Sequence, residues 1–169
     1  MNGKNIILIG MPAVGKSTVG VILAKLLGYS FVDTDLVIQK SEGKLLKQII
    51  AEKGIDGFIE TENRILSSLD CVNSVISTGG SVVYGDDAMK NLSRNGVVIY
   101  LKLDYNKLKY RLHNIKNRGV VIREGQSLSS LYRERVPLYE KYADIIIDEN
   151  GCNVEKTVGK IMERLKDTL

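Results

Sequence analysis

Gly10-Met11-Pro12-Ala13-Val14-Gly15-Lys16-Ser17 sets two glycines, a lysine and a hydroxyl at the spacing G-x-x-x-x-G-K-[ST]. That spacing suits holding a polyphosphate. Glycines let backbone N–H groups converge on phosphate oxygens, Lys16 adds a mobile positive charge, and the Ser17 hydroxyl is a ligand for Mg2+. Nucleotide contacts are therefore expected from Gly10, Pro12, Ala13, Val14, Gly15, Lys16, Ser17 and Thr18. A second pair of groups is Asp33-Thr34-Asp35. Two carboxylates one residue apart leave a strand on the same side, so one can serve the metal while the other takes a proton from an attacking hydroxyl. A helix cap by Asp33 or Thr34 is the competing reading. Gly79-Gly80 marks a place where backbone approaches a ligand or simply turns. Arg118, in a polar loop, is a candidate to stabilise charge on a transferring phosphoryl group. Arg133 and Arg135 precede Val136-Pro137-Leu138-Tyr139; an arginine there would fork a substrate carboxylate, or else pair on a helix surface with Glu134 or Glu140.

These groups need elements to position them. Asn5-Ile6-Ile7-Leu8-Ile9 reads as a buried strand, and Ser17 to Leu27 as a helix closed by Gly28. Tyr29–Val32 predicts a second strand. Leu36 to Lys53 predicts a helix in two pieces broken near Gly43, and Asp56 to Leu69 another helix beyond Gly54. Val72 to Thr78 carries the third strand, and Asp86-Asp87 is expected to cap a helix through Leu92. Val97 to Leu103 is the fourth strand, followed by a helix over 106–114 and a loop over 115–126. Leu128 to Tyr142 predicts a helix that Pro137 kinks or splits. Ile145-Ile146-Ile147 is the last strand and Val154 to Leu169 the last helix. Helices alternate with strands that lack polar alternation, the pattern of an α/β fold with a parallel sheet covered on both faces. Ligands in such sheets bind at the carboxyl ends of the strands, so the glycine loop, Asp33/Asp35 and Gly79-Gly80 should meet in one crevice.

The 169 residues fit one domain. A net charge of +4, without an arginine-rich block or an aromatic RNA-binding motif, gives no ground for a nucleic-acid partner. No apolar run reaches membrane-spanning length, so no membrane partner is expected. Cys71 and Cys152 have no metal-type spacing and read as free thiols, which with the lack of a signal peptide implies a cytoplasmic protein. A guanine-reading Asn-Lys-x-Asp motif is missing: Asn106-Lys107-Leu108-Lys109 lacks the aspartate.

Taken together, Gly10 to Thr18, Phe31-Val32-Asp33-Thr34-Asp35, Gly79-Gly80, Arg118 and Arg135-Val136-Pro137-Leu138-Tyr139 resemble the shikimate kinase family, small P-loop kinases akin to nucleoside monophosphate kinases. The resemblance spans nearly the whole chain. It implies a single kinase domain over 1–169, with a five-stranded parallel sheet in the order 2-3-1-4-5, a lid at about 115–126 and a substrate-binding segment at about 36–69. It implies transfer of the ATP γ-phosphoryl group to the 3-hydroxyl of shikimate, in aromatic amino acid biosynthesis, by a chain expected to act as a monomer. Carried over by position, Lys16 holds phosphate, Ser17 and Asp33 the Mg2+, and Asp35 the substrate hydroxyl. Gly79 and Gly80 line the substrate, Arg118 is the lid arginine on ATP, and Arg135 faces the substrate carboxylate. Two positions depart from the family pattern. Ile59, after Phe58, stands where a second carboxylate-binding arginine is usual, with Arg64 a turn or so onward; Ser81 replaces a third glycine. These departures bear on the acceptor and leave a related hydroxy acid, a sugar acid or a nucleotide as alternatives to shikimate.

Overall fold

A computed structural model describes residues 3–113 and 121–168. The strands are β1 (Asn5–Ile9), β2 (Ser30–Asp33), β3 (Ser74–Ser77), β4 (Gly96–Lys102) and β5 (Ile145–Asp148). The helices are α1 (Lys16–Leu27), α2 (Thr34–Glu42), α3 (Leu46–Ser67), α4 (Asp86–Arg94), α5 (Tyr105–His113), α6 (Leu128–Tyr142) and α7 (Val154–Thr168), with one 3-10 turn at Val82–Tyr84.

All five strands run parallel in the order β2-β3-β1-β4-β5. β1 is the axis: Ile7 stands level with Ile76 of β3 and Val98 of β4, and every β1 residue is buried. At ~1.5–3 kcal/mol for each fully buried aliphatic side chain, this strand is a large part of the driving force. The edge strands differ. β5 alternates in burial, with Ile145 and Ile147 inward and Ile146 exposed, although its three isoleucines show no polar alternation in sequence.

Parallel neighbours need right-handed crossovers. The step from β1 to β2 goes one way along the sheet, and the steps from β2 to β3, β3 to β4 and β4 to β5 go the other. That puts α1 on one face, joined there by α7, and α3, α4 and α6 on the opposite face. Connections diverge at β1 and β3, which opens a crevice beyond their carboxyl ends. α1 lies close on the sheet because Gly20 has no side chain; a Cβ there would come within 2.7 Å of Phe31.

Several local expectations change. α2 ends at Gly43 in the left-handed region (φ 66), as predicted, and Gly54 (φ 71) breaks α3 into two runs. Gly85, and not Asp86 or Asp87, is the N-cap of α4. The cap is supplied from α3, whose Asn63 Oδ1 accepts the Ala88 N–H at 2.9 Å. Asp86 instead accepts the Tyr142 hydroxyl at 2.6 Å. Pro137 does not split α6, which runs on as one helix to Tyr142. Arg133 and Pro137 both lie on the exposed face of α6, so water can take the carbonyl that the proline leaves without a donor.

Candidate active site

The loop between β1 and α1 is built on positive φ angles. Gly10 (φ 146), Ala13 (φ 67) and Gly15 (φ 105) all adopt them. Gly10 has no alternative, since a Cβ would sit 2.7 Å from the Leu101 carbonyl oxygen. Lys16 is the first residue of α1, at the helix end that favours anions. Its side chain is buried, and Nζ donates to the carbonyls of Gly10 (2.8 Å) and Met11 (2.9 Å). An ammonium has three donors, so one is left for an anion at the loop mouth. Burial brings the Lys16 pKa down to about 8, with Asp35 the main opposing influence.

Ser17 Oγ lies 3.3 Å from Asp33 Oδ2 and 3.1 Å from Ser77 Oγ. This is a small set of hard oxygen donors, which fits Mg2+, an ion that takes few protein ligands and keeps waters and phosphate oxygens. No group of three or more His, Cys, Asp or Glu that could hold a metal occurs among the described residues. Asp33 does two jobs: Oδ2 meets Ser17, and Oδ1 caps α2 by accepting the Asp35 N–H at 3.0 Å. The capping reading and the metal reading are thus compatible. Asp35 is not on the strand at all but in the first turn of α2, although both carboxylates line the crevice. Burial and then the neighbouring Asp33 raise the Asp35 pKa, against Lys16.

The crevice encloses about 580 Å3. The structure brings Pro12, Ala13, Gly15, Lys16, Ser17 and Thr18 to one part of it and Asp33, Asp35, Gly79, Gly80 and Arg135 to the rest. Gly10 and Val14 do not line it. Val14 is buried in the core, and its carbonyl accepts a hydrogen bond from Arg111 Nη1 at 3.0 Å. Both diglycine positions are crowded: a Cβ on Gly80 would lie 2.9 Å from Arg135 Nη1 and from Pro12 Cδ, and one on Gly79 2.8 Å from Glu62 Oε1.

Arg135 is 1% exposed, which rules out the helix-surface ion pair. Nη2 donates to the Val121 carbonyl at 2.7 Å, Nε to the Tyr84 hydroxyl at 3.3 Å, and the guanidinium lies over the Tyr84 ring. Among the described residues Nη1 has no hydrogen-bond partner. A buried guanidinium with an unmatched N–H edge beside Gly80 is a site for an anion.

Arg64 does not enter the crevice. It is well exposed and pairs with Glu42 at 2.6 Å. Ile59 is half-buried and does not line the crevice. Arg118 lies outside the described residues.

Three features have no motif to announce them. Glu62 of α3 is 1% exposed, and Oε2 accepts the Ser81 hydroxyl at 2.6 Å while Oε1 has no hydrogen-bond partner among the described residues. Ser81 therefore turns to Glu62. Burial pushes the Glu62 pKa up to about 7. Beside the glycine loop, a second cavity of about 470 Å3 lies between α5 and the turn after β5, lined by Tyr110, Arg111, Glu149 and Cys152. Applying the strand-end rule to β5 as well as to β1, β2 and β3 would have found it. The third is Lys47, at the start of α3, which lines the main crevice.

Glu62 yields a pH prediction. Its pKa is higher in the folded chain than the unfolded value of 4.5, so ionisation opposes folding, and stability is lost as pH rises through the interval up to about 7. Glu62→Gln keeps an acceptor for Ser81 and removes that loss. Its Tm should exceed the wild-type Tm by on the order of 5 °C at pH 8.5 and by much less at pH 5. Equal Tm differences at the two pH values, measured by calorimetry, would refute a buried titrating carboxyl.

A family model described as shikimate kinase matches residues 12–166. A shikimate kinase of Thermodesulfovibrio yellowstonii is 37% identical over 163 residues, covering 95% of this chain and 94% of that one. Among solved structures, shikimate kinase from Acinetobacter baumannii in complex with shikimate superposes with a TM-score of 0.86 at 30% identity, over 98% of this chain and 94% of that one. Shikimate kinase from Aquifex aeolicus superposes with a TM-score of 0.81 at 31% identity, over 97% of each chain.

Proposed function

The chain belongs to the shikimate kinase family, and on that premise we propose that it transfers the γ-phosphoryl group of ATP to the 3-hydroxyl of shikimate. The observation that carries the acceptor half is Arg135: a buried guanidinium with a free N–H edge, in the same crevice as Asp35 and the glycine loop. An acceptor that is both an alcohol and a carboxylate uses both groups.

The loop amides and the open donor of Lys16 hold the β- and γ-phosphates. Ser17 and Asp33 would hold Mg2+, which would supply positive charge against the phosphates. Asp35 aligns the acceptor hydroxyl and receives its proton as the new O–P bond forms and the bond from phosphorus to the ADP oxygen breaks. Gly79 and Gly80 let backbone approach the acceptor, and Arg135 holds its carboxylate. Arg118, in a lid at about 115–126, spreads charge on the transferring group, and 36–69 forms the acceptor-binding segment. The adenine base lies toward the second cavity, beside Arg111. An active monomer is part of the same proposal.

No described helix is long and apolar enough to cross a membrane; a cytoplasmic location is part of the same proposal. The test is acceptor-dependent ADP release, with shikimate measured beside gluconate and nucleoside monophosphates.

A further inference from the structure

The crevice has a cation that the family pattern does not assign. Lys44, between α2 and α3, pairs with Glu52 at 2.6 Å, and on α3 Lys53 pairs with Glu42 at 2.7 Å and Arg64 with Glu42 at 2.6 Å. Lys47 makes no hydrogen bond or ion pair with the described residues, and it lines the crevice together with Leu45, Leu46 and Phe58. Lys16 is bonded to its own loop, and Arg135 is fixed by Tyr84 and Val121. Lys47 is therefore the one crevice cation among the described residues that has no protein partner.

Its setting favours an anion for two further reasons. Lys47 stands in the first turn of α3, at the helix end whose dipole carries partial positive charge. That turn holds no acidic residue. The anionic groups lining the crevice, Asp33 and Asp35, are already engaged, Asp33 by Ser17 and the Asp35 N–H, and Asp35 next to Lys16.

We propose that Lys47 is a specificity residue that binds the carboxylate of the acceptor jointly with Arg135, supplying from α3 the charge that Ile59 does not. This rests on the kinase reading above and deepens it. Lysine is a flexible point charge and cannot make the planar fork of an arginine. The carboxylate is then held by Arg135 through the geometry of its N–H edge and by Lys47 through charge. An arginine should consequently replace Lys47 with little loss.

The test compares wild type, Lys47→Ala and Lys47→Arg on shikimate and on its uncharged methyl ester, the ester read as KM or as a competitive Ki. Lys47→Ala should raise the KM for shikimate ~10-fold, within the range of one charge-assisted hydrogen bond, and leave kcat, the KM for ATP and the ester constant within about twofold. Lys47→Arg should stay close to wild type. An unchanged shikimate KM in Lys47→Ala overturns the inference, as do equal losses on acid and ester or a raised KM for ATP. Wild-type chain that phosphorylates no shikimate removes the kinase reading itself, and this inference with it; a wild type active on shikimate with an indifferent Lys47→Ala removes only the role of Lys47.

Discussion

Lys16→Ala is expected to lower kcat/KM by ~10^2- to 10^3-fold and to leave the fold in place. Lys16 is 7% exposed, and its ammonium spans the loop between the carbonyls of Gly10 and Met11. No other described cation stands inside the glycine loop, so its loss removes both a loop brace and the charge aimed at the transferring group. Removing one such donor from a water-poor site costs on the order of 3–4 kcal/mol of transition-state stabilisation. The fold survives because the ammonium is itself costly to bury, as its lowered pKa records; alanine releases that cost while leaving two carbonyls less well satisfied. Steady-state kinetics beside a thermal melt checks both halves. A variant that keeps a tenth of wild-type turnover contradicts the role given to Lys16.

Asp35→Asn should separate activity from stability in opposite directions. The carboxylate is crowded by Asp33 and lies near Glu62, and burial with Asp33 raises its pKa. An acid whose pKa is higher in the folded state opposes folding once ionised. Asparagine removes that charge, so the variant should melt a few degrees above wild type at pH 7.5. It cannot accept the hydroxyl proton, so kcat should fall ~10^2- to 10^4-fold with the KM for ATP nearly unchanged. A residue that served only structure would lose stability and keep its turnover. Full activity in Asp35→Asn would remove Asp35 from the mechanism.

The glycine loop was legible because its residues are contiguous and its flanks, a buried strand and an amphipathic helix, state its context. The parallel sheet and the shared crevice followed from alternation and the carboxyl-end rule, and the strand order from the resemblance to the shikimate kinase family. Asp33 and Asp35 were legible as a pair on a partly mistaken ground. Period-two geometry assumes both lie on the strand, yet Asp35 has already entered α2, and it reaches the crevice because Asp33 turns the chain by capping that helix. Arg135 was legible as a cation beside an apolar run. Its burial was not, because Tyr84 and Val121, which hold it, come from distant parts of the chain. Glu62 and Lys47 were invisible for a related reason. A single charged residue on a helix reads as solvated surface until the packing shows one sealed against Gly79 and Ser81 and the other lining a crevice. Pro137 does not split α6 because it lies on the exposed face, where water can take the freed carbonyl.

The crevice joins a phosphate-binding loop to the site we propose for a hydroxy acid. Acceptor-dependent ADP release, with the product characterised, tests it most directly. Shikimate with Mg2+ and ATP is expected to give ADP and an equal amount of product phosphorylated at the 3-hydroxyl, with gluconate and nucleoside monophosphates near the acceptor-free rate. ADP release that shikimate does not stimulate, or that a nucleoside monophosphate stimulates more, would contradict it.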